Sequence, residues 1–114
     1  MLENKDYCDY DTSITLGELG FPLKRMKVKN FIDGQFSDSI VTVLLYEAQK
    51  WLREEKKIEV NATYDNIVEL HWHWYMKSLT NRNQIISNTN HDSYEQALLA
   101  GIKEAVKILK EKHE

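Results

Sequence analysis

Ile67-Val68-Glu69-Leu70-His71-Trp72-His73-Trp74-Tyr75-Met76-Lys77 is the stretch whose reading decides the fold. Its even positions hold Val68, Leu70, Trp72, Trp74 and Met76, and its odd positions include Glu69, His71, His73 and Tyr75. Successive side chains of a β-strand point to opposite faces. The period of two therefore predicts one strand with an apolar side on a core and a polar side toward water. Both tryptophans are expected inside, under whatever covers the sheet. The two imidazoles and Tyr75 are expected outside.

The neighbouring segments extend this strand into a sheet. Ile58-Glu59-Val60-Asn61-Ala62 alternates in the same way, and Asp65-Asn66 supplies turn chemistry between the two. Thr80-Asn81-Arg82-Asn83 turns the chain again, and Gln84-Ile85-Ile86-Ser87-Asn88 returns as a third strand. Connections this short pair neighbouring strands antiparallel, as a meander.

Two amphipathic helices flank the strands. Ser37 or Asp38 can cap the first, predicted to run to about Lys56. Its Val41, Leu44, Leu45, Ala48, Trp51 and Leu52 fall on one stripe, and Glu47, Lys50, Arg53 and Glu54 lie opposite. Ser93 followed by Gln96 is a capping-box pattern that opens the second. Tyr94, Ala97, Leu98, Gly101, Ala105, Ile108 and Leu109 mark its apolar face, with lysines crowding the last turns, where the helix dipole favours them. A glycine inside a helix costs about 1 kcal/mol against alanine, so Gly101 predicts a close approach to the sheet.

The fold expected is α+β: a two-layer sandwich in which a three-stranded antiparallel meander carries two main helices on one face, in the order α-β-β-β-α. A single domain spans residues 1–114, with the α-β-β-β-α core at 38–114. Residues 1–11 are expected to form a loose acidic arm. Residues 12–37 form an N-terminal extension. In it, residues 12–22 make one or two helical turns, started by Ser or Thr and stopped by Gly20 before Pro22. A small hairpin pairs residues 27–32 with 35–37 around Asp33-Gly34.

Composition narrows the function. The chain has 114 residues, 42% hydrophobic and 29% charged, which is globular rather than disordered. A net charge of -3 argues against a generic polyanion binder. Charge is nevertheless uneven. Glu3, Asp6, Asp9, Asp11 and Glu18 stand against Lys5 in the first twenty residues, whereas the next ten hold Lys24, Arg25, Lys27 and Lys29 and no acid. Cys8 is the only cysteine, so no intramolecular disulfide forms, which suits a reducing compartment. Neither a signal-peptide core nor an apolar run of membrane-spanning length is present, and the expected location is the cytoplasm.

Three chemistries compete with plain binding. Glu69, His71 and His73 share one strand face and, with His91, offer zinc- or iron-type ligands, although alternation alone explains their spacing. Cys8 lies among Asp6, Asp9 and Asp11, whose charges oppose thiolate formation. The glycines at 17, 20, 34 and 101 build neither a P-loop nor a dinucleotide fingerprint. No catalytic residue, metal site or cofactor is therefore assigned from the sequence.

Two resemblances add to this. The element order, with the Ser93-Tyr94-Glu95-Gln96-Ala97 helix, resembles the double-stranded-RNA-binding domain over about half the chain. That family grips phosphates with lysines at the start of this helix, where Tyr94, Glu95 and Gln96 stand here. A glutamate in a phosphate clamp speaks against RNA binding. Residues 45–112 are similar to small uncharacterised proteins of bacterial phages and mobile elements. The shared features are the Leu45-Tyr46-Glu47-Ala48-Gln49-Lys50-Trp51-Leu52-Arg53-Glu54-Glu55-Lys56 helix, an aromatic strand and a Tyr94-Glu95-Gln96-Ala97 helix. This second resemblance implies an accessory protein, in the host cytoplasm, that binds and inhibits or modulates a host protein or ribonucleoprotein, such as an RNA-guided defence nuclease. The expected surfaces are the basic segment Lys24, Arg25, Lys27 and Lys29 and the open sheet face His71, His73 and Tyr75. Direct nucleic-acid binding is the first alternative and a small metal-dependent hydrolase the second.

Overall fold

Backbone pairing orders the chain as α1 (Tyr10–Glu18), β1 (Lys27–Asp33), β2 (Phe36–Thr42), α2 (Leu45–Glu55), β3 (Ile58–Asp65), β4 (His71–Ser78), β5 (Gln84–Ile86) and α3 (Tyr94–Lys112). The computed structural model describes residues 6–22, 25, 27–33, 36–65, 71–80, 84–86 and 91–112. It describes the side chains of all of these but 27–33, 36–41, 65, 85, 86 and 112. The architecture is α+β, with one sheet of β1-β2 and one of order β3-β4-β5, every pairing antiparallel.

The first of the two main helices is shorter than its apolar stripe suggests. It begins at Leu45, after Leu44 as N-cap with no side-chain cap bond, and residues 38–42 belong to β2. The spacing of Val41, Leu44 and Leu45 fits a helix. However, Ile40-Val41-Thr42-Val43 is a β-branched run, stiff at χ1 and better suited to a strand. Those residues pair with β1 from Lys27↔Thr42 to Asp33↔Phe36, a longer hairpin than expected. Gly34 and Gln35 lie outside the described residues.

The N-terminal segment also departs from expectation. The described part of residues 1–11 is packed, not a loose arm. Cys8 is 2% exposed, and its N–H donates to the Val43 carbonyl at 2.8 Å. The Thr42 hydroxyl donates to the Cys8 carbonyl (3.0 Å). Thr42 has thus spent its one proton, so at the 2.9 Å Ser13–Thr42 contact the Ser13 hydroxyl is the donor. Ser13 Oγ in turn accepts from the Val43 N–H at 3.1 Å. This buried network clips α1 to the end of β2 with its polar atoms satisfied, as burial requires. α1 starts at Tyr10, capped by Asp9, whose carboxylate accepts from the Thr12 N–H at 2.8 Å. It ends in a Schellman motif: Gly20, at φ +111°, donates to Gly17, and Phe21 donates to Leu16.

α2 and α3 share the apolar face of the second sheet. Leu45, Ala48, Trp51 and Leu52 from α2 and Leu98, Ile102, Ala105 and Leu109 from α3 form one core with Val60, Trp74 and Met76. Gly101 is where the backbones come nearest. A Cβ there would lie 2.7 Å from Val60 Cγ1 and 3.0 Å from Trp74 Cβ, so a side chain is excluded. At the opposite end of α2, Lys57 takes a left-handed φ of 56° without being glycine, and its carbonyl accepts from the Leu79 N–H at 2.8 Å.

Candidate functional site

Strand register builds the site. β3 and β4 pair from Ile58↔Ser78 to Asp65↔His71, which sets Tyr64 opposite Trp72, Ala62 opposite Trp74 and Val60 opposite Met76 on one face. On the other face Asn61 meets Tyr75 and Thr63 meets His73. A turn at Asp65-Asn66 would instead have placed Tyr64 opposite Ile67. The paired strands leave residues 66–70 between them, and Val68, Glu69 and Leu70 lie outside the described residues. On the far side of β4, Trp72 exchanges both backbone hydrogen bonds with His91, at 3.0 and 2.9 Å. His91 thus serves as a one-residue extension of the sheet.

That exchange fixes which backbone groups of β3 face outward. Trp72 spends its N–H and carbonyl on His91, so Tyr64 opposite it, and by the period of two Ala62 and Val60, turn theirs to the open edge. Side chains meet two of these groups. Gln49 Nε2 donates to the Val60 carbonyl at 2.8 Å, and Asn61 Oδ1 accepts from the Ala62 N–H at 2.9 Å. Such edge cover hinders another strand from adding there.

The two tryptophans do not share one environment. Trp74 is 9% exposed beneath Gly101, as the alternation predicts. Trp72, also expected inside, is half-buried at the mouth of the core. α3 begins only at Tyr94, so Trp72 lies at the limit of its cover. The Tyr94 ring meets it edge-on, with centroids 5.5 Å apart at 86°. Tyr64, 45% exposed, also tilts against it at 5.2 Å and 52°. Tyr64, His71, Trp72, His91 and Asp92 line a cleft of about 470 Å³ at this end of the sheet.

The first turn of α3 closes one side of the cleft. Ser93 Oγ accepts from the Gln96 N–H at 3.2 Å, and Gln96 Oε1 accepts from the Asp92 N–H at 3.1 Å, a capping box displaced by one residue on its return bond. The Tyr94 hydroxyl reaches Asn61 Oδ1 at 3.3 Å and ties the helix start to β3.

The sequence-selected residues separate in space. His71, His73 and Tyr75 are half-buried along β4 on the face away from the helices, with exposed Thr63 beside them on β3. In the basic segment, Lys24 lies outside the described residues, and Lys27 and Lys29 sit on β1 opposite Thr42 and Ile40. Arg25 is engaged within the fold. It pairs with Glu47 Oε2 through Nε at 3.2 Å and Nη2 at 2.6 Å, and its guanidinium sits 5.3 Å from the centroid of Phe21. Among the described residues no group of three His, Cys, Asp or Glu side chains converges to hold a metal ion. Burial, reinforced by Asp9, pushes the Cys8 thiol from 9.0 up to about 12, which keeps it neutral and a poor nucleophile at physiological pH. Burial acts to raise the Asp9 carboxyl. Hydrogen bonds from Thr12 and the Lys103 ammonium, 2.9 Å away, outweigh it and hold the group below the usual range.

Sequence reasoning missed Tyr64 and Asp92 and used His91 only as a spare metal ligand. Aromatic content at 64, 72 and 94 was visible, but a shared cleft depends on the register of β3 against β4. No family model, curated protein or solved structure matches this chain. No helix among the described residues is long and apolar enough to cross a membrane.

Proposed function

We propose that this protein is a binding module, docking a macromolecular partner through the helix-free face of the β3-β4-β5 sheet and the aromatic cleft at its end. One observation carries the reading. α2 and α3 pack together on the other face, leaving Thr63, His73 and Tyr75 side by side where no described helix covers them. Tyr75, half-buried on this face, is of a residue type enriched at the centres of protein interfaces. The resemblance to phage and mobile-element accessory proteins supports a host protein or ribonucleoprotein as the partner. Direct RNA binding is less well supported, because Asp92 and Glu95 flank the start of α3 where that reading needs cations.

The test is affinity capture from host lysate with the native chain and with a Thr63→Arg/Tyr75→Ala variant of unchanged melting curve. A partner retained by the native chain and lost by the variant is expected. Capture of nothing by the native chain, or equal capture by both, refutes the assignment.

A further inference from the structure

We propose that the cleft lined by Tyr64, Trp72 and Asp92 receives a single cationic side chain, an arginine, lysine or methylated lysine, presented by a protein partner. The proposal rests on the binding reading above and names the chemistry at one end of that surface. Trp72 and Tyr64 both line the cleft, and their rings meet at one corner of it, tilted at 52° with centroids 5.2 Å apart. A cation seated in such a corner is attracted by both ring quadrupoles. Tyr94, perpendicular to Trp72 with centroids 5.5 Å apart, packs against the indole as well. The volume, about 470 Å³, suits an organic cation rather than a bare metal ion.

Charge selects the sign of the ligand. Among the described residues that line the cleft, Asp92 is the one carboxylate and none is a lysine or arginine. Asp92 is exposed, so its charge stands at the entrance. A helix N-terminus ordinarily favours an anion, but here Ser93 Oγ already accepts from the Gln96 N–H, and Glu95 sits in the first turn. Among the described lining residues a phosphate would meet one carboxylate and no basic group beyond the His71 and His91 imidazoles; an ammonium or guanidinium group would meet two aromatic rings and that carboxylate. The same rings could stack a nucleobase, but its attached phosphate disfavours that occupant.

Tetramethylammonium is the probe, with neutral tert-butanol as its isostere and adenosine monophosphate as the nucleobase competitor. The readout is the Trp72 indole N–H resonance, identified by its loss in Trp72→Phe. A saturable shift with tetramethylammonium at roughly millimolar concentration is expected, with a far smaller shift from tert-butanol and none from the nucleotide. Asp92→Asn should weaken binding about threefold, the scale of one exposed charge pair. Tyr64→Ala, at a surface position that leaves the core untouched, should abolish the shift. An equal response to tert-butanol, a preference for the nucleotide, or no response to tetramethylammonium overturns the assignment. If the captured partner survives while the probe fails, the cation receptor alone is refuted; if the probe binds and nothing is captured, only the wider binding reading falls.

Discussion

Trp74 and Trp72 sit two residues apart on the same face of one strand, yet one is sealed and the other stands at an opening. Trp74 lies under Gly101, where helix and sheet touch so closely that a methyl group has no room. Trp72 lies beneath the first residue of α3, beyond which the helix provides no further cover. Alternation along a strand decides which side a residue faces. The length and placement of the covering helix decide how deeply it is buried. At the covered end this produces a rigid core, and at the other end an aromatic cleft with a carboxylate at its lip.

The comparison breaks most visibly on truncating the two indoles. Trp74→Ala should cost about 3–5 kcal/mol, the range for removing a large aromatic from a packed core. Trp72→Ala should cost about 1–2 kcal/mol, the scale of its two aromatic contacts and half-burial. Urea unfolding of both variants checks this, and equal losses would mean that Trp72 is as enclosed as its neighbour. Gly101→Ala sharpens the account of the covered end. Helix propensity favours alanine by about 1 kcal/mol, while overpacking against Val60 and Trp74 costs about 1–3 kcal/mol. The expected net is a destabilisation of about 1 kcal/mol, read as a lowered melting temperature; a stabilised variant would contradict the close approach. The smallest effect concerns the connection into the covered end of β3. Lys57→Gly relieves a left-handed backbone and should stabilise by about 0.5 kcal/mol, since the glycine also adds freedom to the unfolded chain. A loss on that substitution would point to a packing role for the Lys57 side chain.

Much of the local structure was legible in the sequence. The start of α3 at Ser93 and Gln96, the stop of α1 at Gly20 and the reason for Gly101 each follow from one or two residues with a strong backbone preference. Register was less legible. Tyr64 and Trp72 pair because the register runs to Asp65↔His71, and nothing in the composition of 66–70 fixes that register against a two-residue turn at 65–66. The segment 38–44 read as helix because its apolar residues satisfy a helical stripe, although a strand accommodates them as well. Pairing with β1, a non-local event, resolved it toward β2.

The site shows the same division. His71, His73 and Tyr75 could be assigned to the helix-free face from period two alone. The cleft needed three separate segments: β3 for Tyr64, β4 for Trp72 and the residues just before α3 for His91 and Asp92. The packing of Cys8, Ser13 and Thr42 was likewise invisible, since an acidic segment reads as solvated until its backbone is seen donating to Val43.

The sequence by itself determined which residues face inward and where helices can start and stop, because side-chain periodicity and capping act over a few bonds. Tertiary structure alone decided the strand register, the depth of Trp72 and the docking of the N-terminal segment. Those depend on contacts between residues far apart in the chain, whose free energies appear only once the elements have met.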